Sequence, residues 1–278
     1  MNLEEKVRYA YWVNLGITNF EETEKIQEKL AQLRKENKIQ DTILYTQHYP
    51  TITFGKSPKY NGFAEEFLNE VKNKFQDLNE SIVLNYLNSL GIKFIVRNSG
   101  GGSAYTGIGQ AIFYPIVDYE KIVNKTLGIQ DYKSLIDEIM VSVLNEHYAI
   151  PAKSFKVTDY LHDLDNDESR KDRKDVWVEK NNSFYKIGSK AIHISNNIAY
   201  HGFSLFVKKE SINGFDKVLP CGYKKDELNV TSMEHELDDE IEISQVSESV
   251  KSFIMDKFNY EEIIDVNLSE LLQEEVEV

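Results

Sequence analysis

Strand-like and helix-like segments are interleaved along this chain of 278 residues, but never in strict strand–helix–strand alternation. Aromatic and β-branched runs bounded by turn residues predict strands at 9–15, 41–48, 51–54, 93–97, 111–117, 176–178, 183–187, 191–194 and 199–207. Longer stretches with helical spacing predict helices at 20–37, 63–90 with a break near Asp77, 132–148 and 244–258. Thr18-Asn19-Phe20-Glu21 reads as a capping box opening the first helix. Regular βαβ units would give a parallel sheet. The irregular order predicts instead an α/β fold of the α+β type, a mixed β-sheet flanked by helices. Nothing in the sequence resembles an interdomain linker, so a single domain over 1–278 is expected, with a core from 9 to 258. Residues 158–174, rich in Asp, Arg and Lys, predict an irregular surface insertion, and the C-terminal end is acidic.

Cys221 is the only cysteine, which excludes a disulfide framework and argues against a zinc–thiolate site. No metal or other cofactor is expected. The first residues lack the basic-then-apolar pattern of a signal peptide, and no apolar run approaches the roughly 18–20 residues of a membrane helix. The expectation is a cytoplasmic protein with no membrane partner. A net charge of −14 disfavours nucleic acid as a partner. The charge is uneven, however: Lys208, Lys209, Lys217, Lys224 and Lys225 lie around Cys221 in sequence. Two readings fit them, a basic rim for an acidic partner or a solvated lysine-rich loop.

Three segments carry candidate chemistry. Cys221 lies between Pro220 and Gly222, and nearby cations raise the thiolate fraction that a nucleophile needs; the alternative is a buried or incidental thiol. The run from Ser99 through Gly100, Gly101 and Gly102 to Ser103 follows a strand, so its amides can be aimed at a ligand. It lacks the phosphate-loop spacing, and a plain tight turn, a phosphate cradle and an acyl or carbonyl cradle all remain open. Lys186 falls in a strand pattern, where a lysine ordinarily faces solvent, and His201 is equally read as a satisfied core histidine.

Taken in order, the pieces resemble lipoyl(octanoyl) transferases. They are Gly107-Ile108-Gly109-Gln110, Tyr114-Pro115-Ile116, Val176-Trp177-Val178, Lys186-Ile187-Gly188, His201-Gly202-Phe203, Pro220-Cys221-Gly222 and Val230-Thr231-Ser232. The stretch ending His48-Tyr49-Pro50 and Phe54-Gly55 is similar to the family's early strand pair. The resemblance implies the catalytic fold of biotin and lipoate protein ligases. It also implies a Cys221/Lys186 dyad, in which Cys221 takes the acyl group as a thioester and Lys186 serves as acid and base. The implied donor is octanoyl-acyl carrier protein, and the implied acceptor is a lysine of the lipoyl domains of 2-oxoacid dehydrogenase complexes or of glycine cleavage H protein. By position the resemblance assigns substrate contacts to Arg97, Gly100, Gly101, Gly102, Tyr105, Thr106, Gly107, Gly109 and Gln110, and further to Gly188, Ser189, His201 and Gly202. The loop departs from the family pattern: Ser99, Ala104, Thr106 and Ile108 stand where arginine, threonine, histidine and proline are usual. Arg97-Asn98-Ser99-Gly100-Gly101-Gly102 is closer to ATP-dependent lipoate–protein ligases. That ligase, a lipoyl amidotransferase and a non-catalytic acyl-protein-binding module are the alternatives.

Overall fold

The computed structural model describes residues 8–55, 62–97, 102–123, 128–156, 174–219 and 229–273. β1 (Tyr9–Thr18) and β2 (Asp41–His48) run parallel, joined by α1 (Phe20–Lys35). The expected capping box does not form. Asn19 is the N-cap without a side-chain bond, and the Thr18 hydroxyl instead meets those of Thr23 and Thr46, each at 2.8 Å. Glu21 and Glu22 in the first turn and Arg34 and Lys35 in the last complement the helix dipole. A buried Arg34–Asp41 ion pair at 2.7 Å ties the end of α1 to the start of β2.

β3 (Thr51–Phe54), α2 (Glu65–Phe75), α3 (Glu80–Ser89), β4 (Lys93–Val96) and β5 (Ala104–Thr106) make a smaller unit, a three-stranded sheet of order β4-β3-β5 with two helices. The break foreseen near Asp77 is present. Gln76 turns at φ 54°, and the Asn79 side chain accepts the Ile82 N–H at 3.0 Å to cap α3. Ile52, Phe54, Phe67, Val71, Val83 and Leu87 fill the core beneath it.

Next come β6 (Gln110–Asp118), α4 (Tyr119–Ile122), α5 (Ile129–Ser142) with a π-turn after it, β7 (Ala152–Phe155), β8 (Asp175–Lys180), β9 (Ser183–Ser195) and β10 (Ile198–Phe206). β11 (Asn229–Val230), α6 (Met233–Leu237), α7 (Ile243–Lys257), β12 (Glu262–Asp265) and α8 (Leu268–Gln273) complete the chain. The large sheet has nine strands in the order β12-β1-β2-β6-β10-β9-β8-β7, with β11 also paired to β9. β12, β1 and β2 are parallel, and every neighbour pair from β2 to β7 is antiparallel. The expected mixed sheet flanked by helices is therefore observed. β9 is one strand where two were expected, because the pairing of Gly188 with Leu205 continues the ladder. β5, β7, β11 and β12 were not foreseen, being too short to show a period.

Alternation on β6 divides the core. Ala111, Phe113 and Val117 pack toward α5 and α7, and Ile112, Tyr114 and Ile116 pack with Leu30 and Leu33 of α1. No helix among the described residues is long and apolar enough to cross a membrane. The expected insertion at 158–174, except Lys174, and the last five residues of the acidic end lie outside the described residues.

Candidate active site

Lys186 is 2% exposed, although a lysine on a strand ordinarily reaches solvent. Register explains where it points. Val176 stands opposite Gly188, but Trp177 stands opposite Lys186, so one extra residue is accommodated on β9 between Lys186 and Gly188. Directly opposed residues share a face, and neighbours in a strand do not. Lys186 therefore projects with Trp177, and Gly188 projects the other way, toward Met140 of α5. The Lys186 ammonium lies 2.9 Å from the Asp175 carboxylate and 5.9 Å from the centre of the Trp177 ring. Ser189, on the same face as Lys186, stands opposite Ser204. Gly188, expected at the substrate, is thus placed in the packing against α5, where a β-carbon would come within 2.9 Å of the Ser204 carbonyl oxygen.

The described part of the glycine-rich loop arrives from β4. The Arg97 guanidinium donates to the Gly102 carbonyl at 2.8 Å, and the Ser103 hydroxyl donates to the Leu219 carbonyl at 2.5 Å. Leu219 is also held through its N–H to Gly62 O at 3.0 Å. Cys221, two residues on, lies outside the described residues, as do Gly100 and Gly101. Tyr105 is buried in the core of the small unit, edge-on to Phe215, and the backbones of Gly107 and Gly214 pass close against its ring and hydroxyl. Burial and the nearby Asp216 push its phenol up to about 12, so it stays protonated. Thr106 pairs with Thr51. Gly109 adopts φ 89°, donates its N–H to the Gln47 side chain at 2.9 Å and accepts from Val207 and Lys208, both at 3.1 Å. Gln110 is buried and donates to Ser211 O at 2.9 Å. This half of the loop is thereby fixed to the end of β10 nearest Lys186.

His201 and Gly202 lie farther off. His201 is four residues before Leu205, which pairs with Gly188; at about 3.3 Å per residue it stands roughly 20 Å along the sheet from Lys186. The β6–β10 ladder is interrupted opposite Pro115, which has no N–H to give. There His201 takes φ 60°, its N–H donates to Gln27 of α1 at 2.9 Å, and a β-carbon on Gly202 would strike the Phe113 carbonyl. Burial, His193 and Arg97 lower the His201 pKa to about 4. His48 is fully buried, bonded to the Tyr114 hydroxyl at 2.7 Å, and burial lowers it to about 4 as well.

Asp175 is the site residue that the sequence reading missed. It follows a lysine-rich, acid-rich stretch, and only the strand register shows that it faces Lys186. Of the five lysines around Cys221 in sequence, Lys224 and Lys225 lie outside the described residues, and the other three each have a carboxylate partner. Lys208 meets Glu234 at 3.0 Å, Lys209 meets Asp238 at 3.6 Å and Lys217 meets Asp216 at 2.8 Å. A cavity of about 520 Å³ opens beside Tyr105 and Ile108 in the small unit, but Lys186 does not line it. No group of three or more potential metal ligands occurs among the described residues.

The lipoyl protein ligase A/B catalytic domain matches residues 19–254. An octanoyltransferase of Caldicellulosiruptor saccharolyticus is 28% identical over 265 residues, covering 95% of each chain. The mitochondrial octanoyltransferase of Arabidopsis thaliana is 28% identical over 90% of this chain and 89% of its own. Among solved structures, lipoate-protein ligase A bound with ATP superposes with a TM-score of 0.60 at 12% identity, covering 97% of this chain and 94% of that one. A bipartite lipoate protein ligase from Thermoplasma acidophilum gives 0.64 at 12% identity, covering 96% and 91%. At such identities the structural likeness establishes the fold.

Proposed function

We infer the reaction from one premise: the chain belongs to the family of lipoyl protein ligase A/B catalytic domains. It is an acyltransferase, and octanoyl transfer in lipoate biosynthesis is the activity its curated relatives support. In our reading the catalytic domain spans the whole chain. The donor is octanoyl-acyl carrier protein, and the acceptor is a lysine of a lipoyl domain or of glycine cleavage H protein.

The Cys221 thiolate attacks the donor thioester. A carbon–sulfur bond to Cys221 forms, the bond to the carrier breaks, and the Lys186 ammonium gives its proton to the carrier's sulfur, which leaves as a thiol and leaves Lys186 as an amine. Lys186, as ammonium, stabilises the thiolate. The acceptor amine then attacks the new thioester, the bond to Cys221 breaks, and an amide forms. The proton released by that amine passes to Lys186 as amine or to the departing sulfur. Thioester exchange is nearly thermoneutral and amide formation is downhill, so neither ATP nor a cofactor is needed.

The observation that carries this reading is the placement of Lys186. It is buried and oriented by Asp175 where β11 pairs with β9, ten residues after Leu219, and Leu219 is tied to the glycine loop through Ser103. Incubating the protein with octanoyl-acyl carrier protein and a lipoyl domain, without ATP, tests it. Octanoylated lipoyl domain should form with wild type and not with Cys221→Ala. Product that requires ATP and a free fatty acid, and survives Cys221→Ala, would replace the transferase by a ligase.

A further inference from the structure

β10 leaves β9 after the pair Gly188–Leu205, and at Lys186 the two-residue strand β11 pairs with β9 instead. Val230 stands opposite Lys186 in parallel register, and the Thr231 N–H donates to the Lys186 carbonyl at 2.9 Å. A pairing this short is marginal by itself. Side chains reinforce it. The Thr231 hydroxyl donates to the Glu236 carboxylate, which also takes the Lys180 ammonium at 2.7 Å, and that ammonium lies 4.2 Å over the ring of Tyr185. Tyr185 is in turn the partner of Asn229. The contacts form a closed ring through β8, α6, β11 and β9. Thr231 is 3% exposed and the Glu236 side chain 8%, so each polar group is buried with its partner in place.

We propose that Thr231 and Glu236 are positioning residues that hold Lys186 in register with the chain arriving from Cys221. The proposal rests on the reading of Cys221 as the acyl-accepting nucleophile. Loss of the Thr231 hydroxyl leaves the Lys186 backbone bonded to a strand that shifts, and the ammonium spends less time where the thiolate needs it.

One cysteine in the chain makes the test clean. Octanoyl loading from octanoyl-acyl carrier protein and alkylation by iodoacetamide are timed at fixed pH for wild type, Thr231→Val and Thr231→Ser. Thr231→Val should slow both by about tenfold, with the KM for carrier protein within about twofold of wild type and the melting temperature little changed. Thr231→Ser, which restores the hydroxyl, should recover both rates. Glu236→Gln should slow both as well, and it stands in if Thr231→Val does not fold. Loading at the wild-type rate in Thr231→Val, or equal loss in Thr231→Ser, overturns the proposal. If wild type takes no octanoyl group yet alkylation still depends on the Thr231 hydroxyl, the transferase reading falls and the positioning role stands.

Discussion

Lys186 and Lys190 stand four residues apart on β9, and each is buried against an aspartate: Asp175 for the first, Asp137 for the second. In an undisturbed strand they would share a face. The bulge after Lys186 separates them. Lys190 points with Gly188 into the packing beneath α5, where its ammonium also donates to Lys133 O at 3.3 Å. Lys186 points with Trp177 to the other face. Burial raises the Asp137 carboxyl and lowers the Lys190 ammonium, the signature of charges enclosed in a core. A buried lysine–carboxylate pair therefore does not by itself mark the reacting lysine. In the proposed reaction the face it occupies does, and one extra residue in the ladder decides the face.

The sharpest way to break this contrast is to remove each ammonium in turn. Lys186→Met should lower octanoyl transfer by about 10⁴-fold, roughly 5 kcal/mol, in a folded protein. Lys190→Met should transfer at close to the wild-type rate wherever it is folded. The second contrast is in stability. Asp137→Ala leaves the Lys190 charge buried without its carboxylate and should cost about 3–4 kcal/mol in urea unfolding, most of it recovered in Lys190→Met/Asp137→Leu. If that double variant folds but no longer transfers, the pair is not merely structural.

His48 sharpens the account of the α1 side. Its folded pKa, about 4, lies below its unfolded value near 6.5, so the unfolded chain binds the extra proton between them. Stability is then complete above about pH 6.5 and falls as pH drops toward 4, by about 2 kcal/mol between pH 7 and 5. His48→Gln should flatten that slope in thermal unfolding. The smallest effect concerns orientation: Asp175→Asn should slow transfer about tenfold, roughly 1.4 kcal/mol, by loosening the Lys186 ammonium, with little change in KM.

Much of this architecture was legible in the sequence. The long amphipathic helices and the aromatic strands β1, β2 and β10 carried their periods openly, and the order of short motifs pointed to the family. What escaped was what register creates. Asp175 has no signal of its own, because its role depends on standing two residues before the partner of Lys186. Thr18 looked like a cap, but the Thr46 hydroxyl on the neighbouring strand offered it a partner that local sequence cannot reveal. Gly188 and Tyr105 were assigned to the substrate by motif position, and packing against α5 and Phe215 gives each a structural reason to be there. For the lysines near Cys221 the sequence left open a basic rim or a solvated loop, and the carboxylate partners of Lys208 and Lys209, distant in sequence, could not be read from it.

The most direct test of the central claim is intact-protein mass spectrometry after incubation with octanoyl-acyl carrier protein, comparing wild type, Cys221→Ala, Lys186→Met and Lys190→Met. The account predicts one octanoyl adduct on wild type and Lys190→Met, released by hydroxylamine, absent from Cys221→Ala and formed far more slowly on Lys186→Met. No adduct on wild type, an adduct that persists in Cys221→Ala, or equal loading of Lys186→Met and Lys190→Met would contradict it.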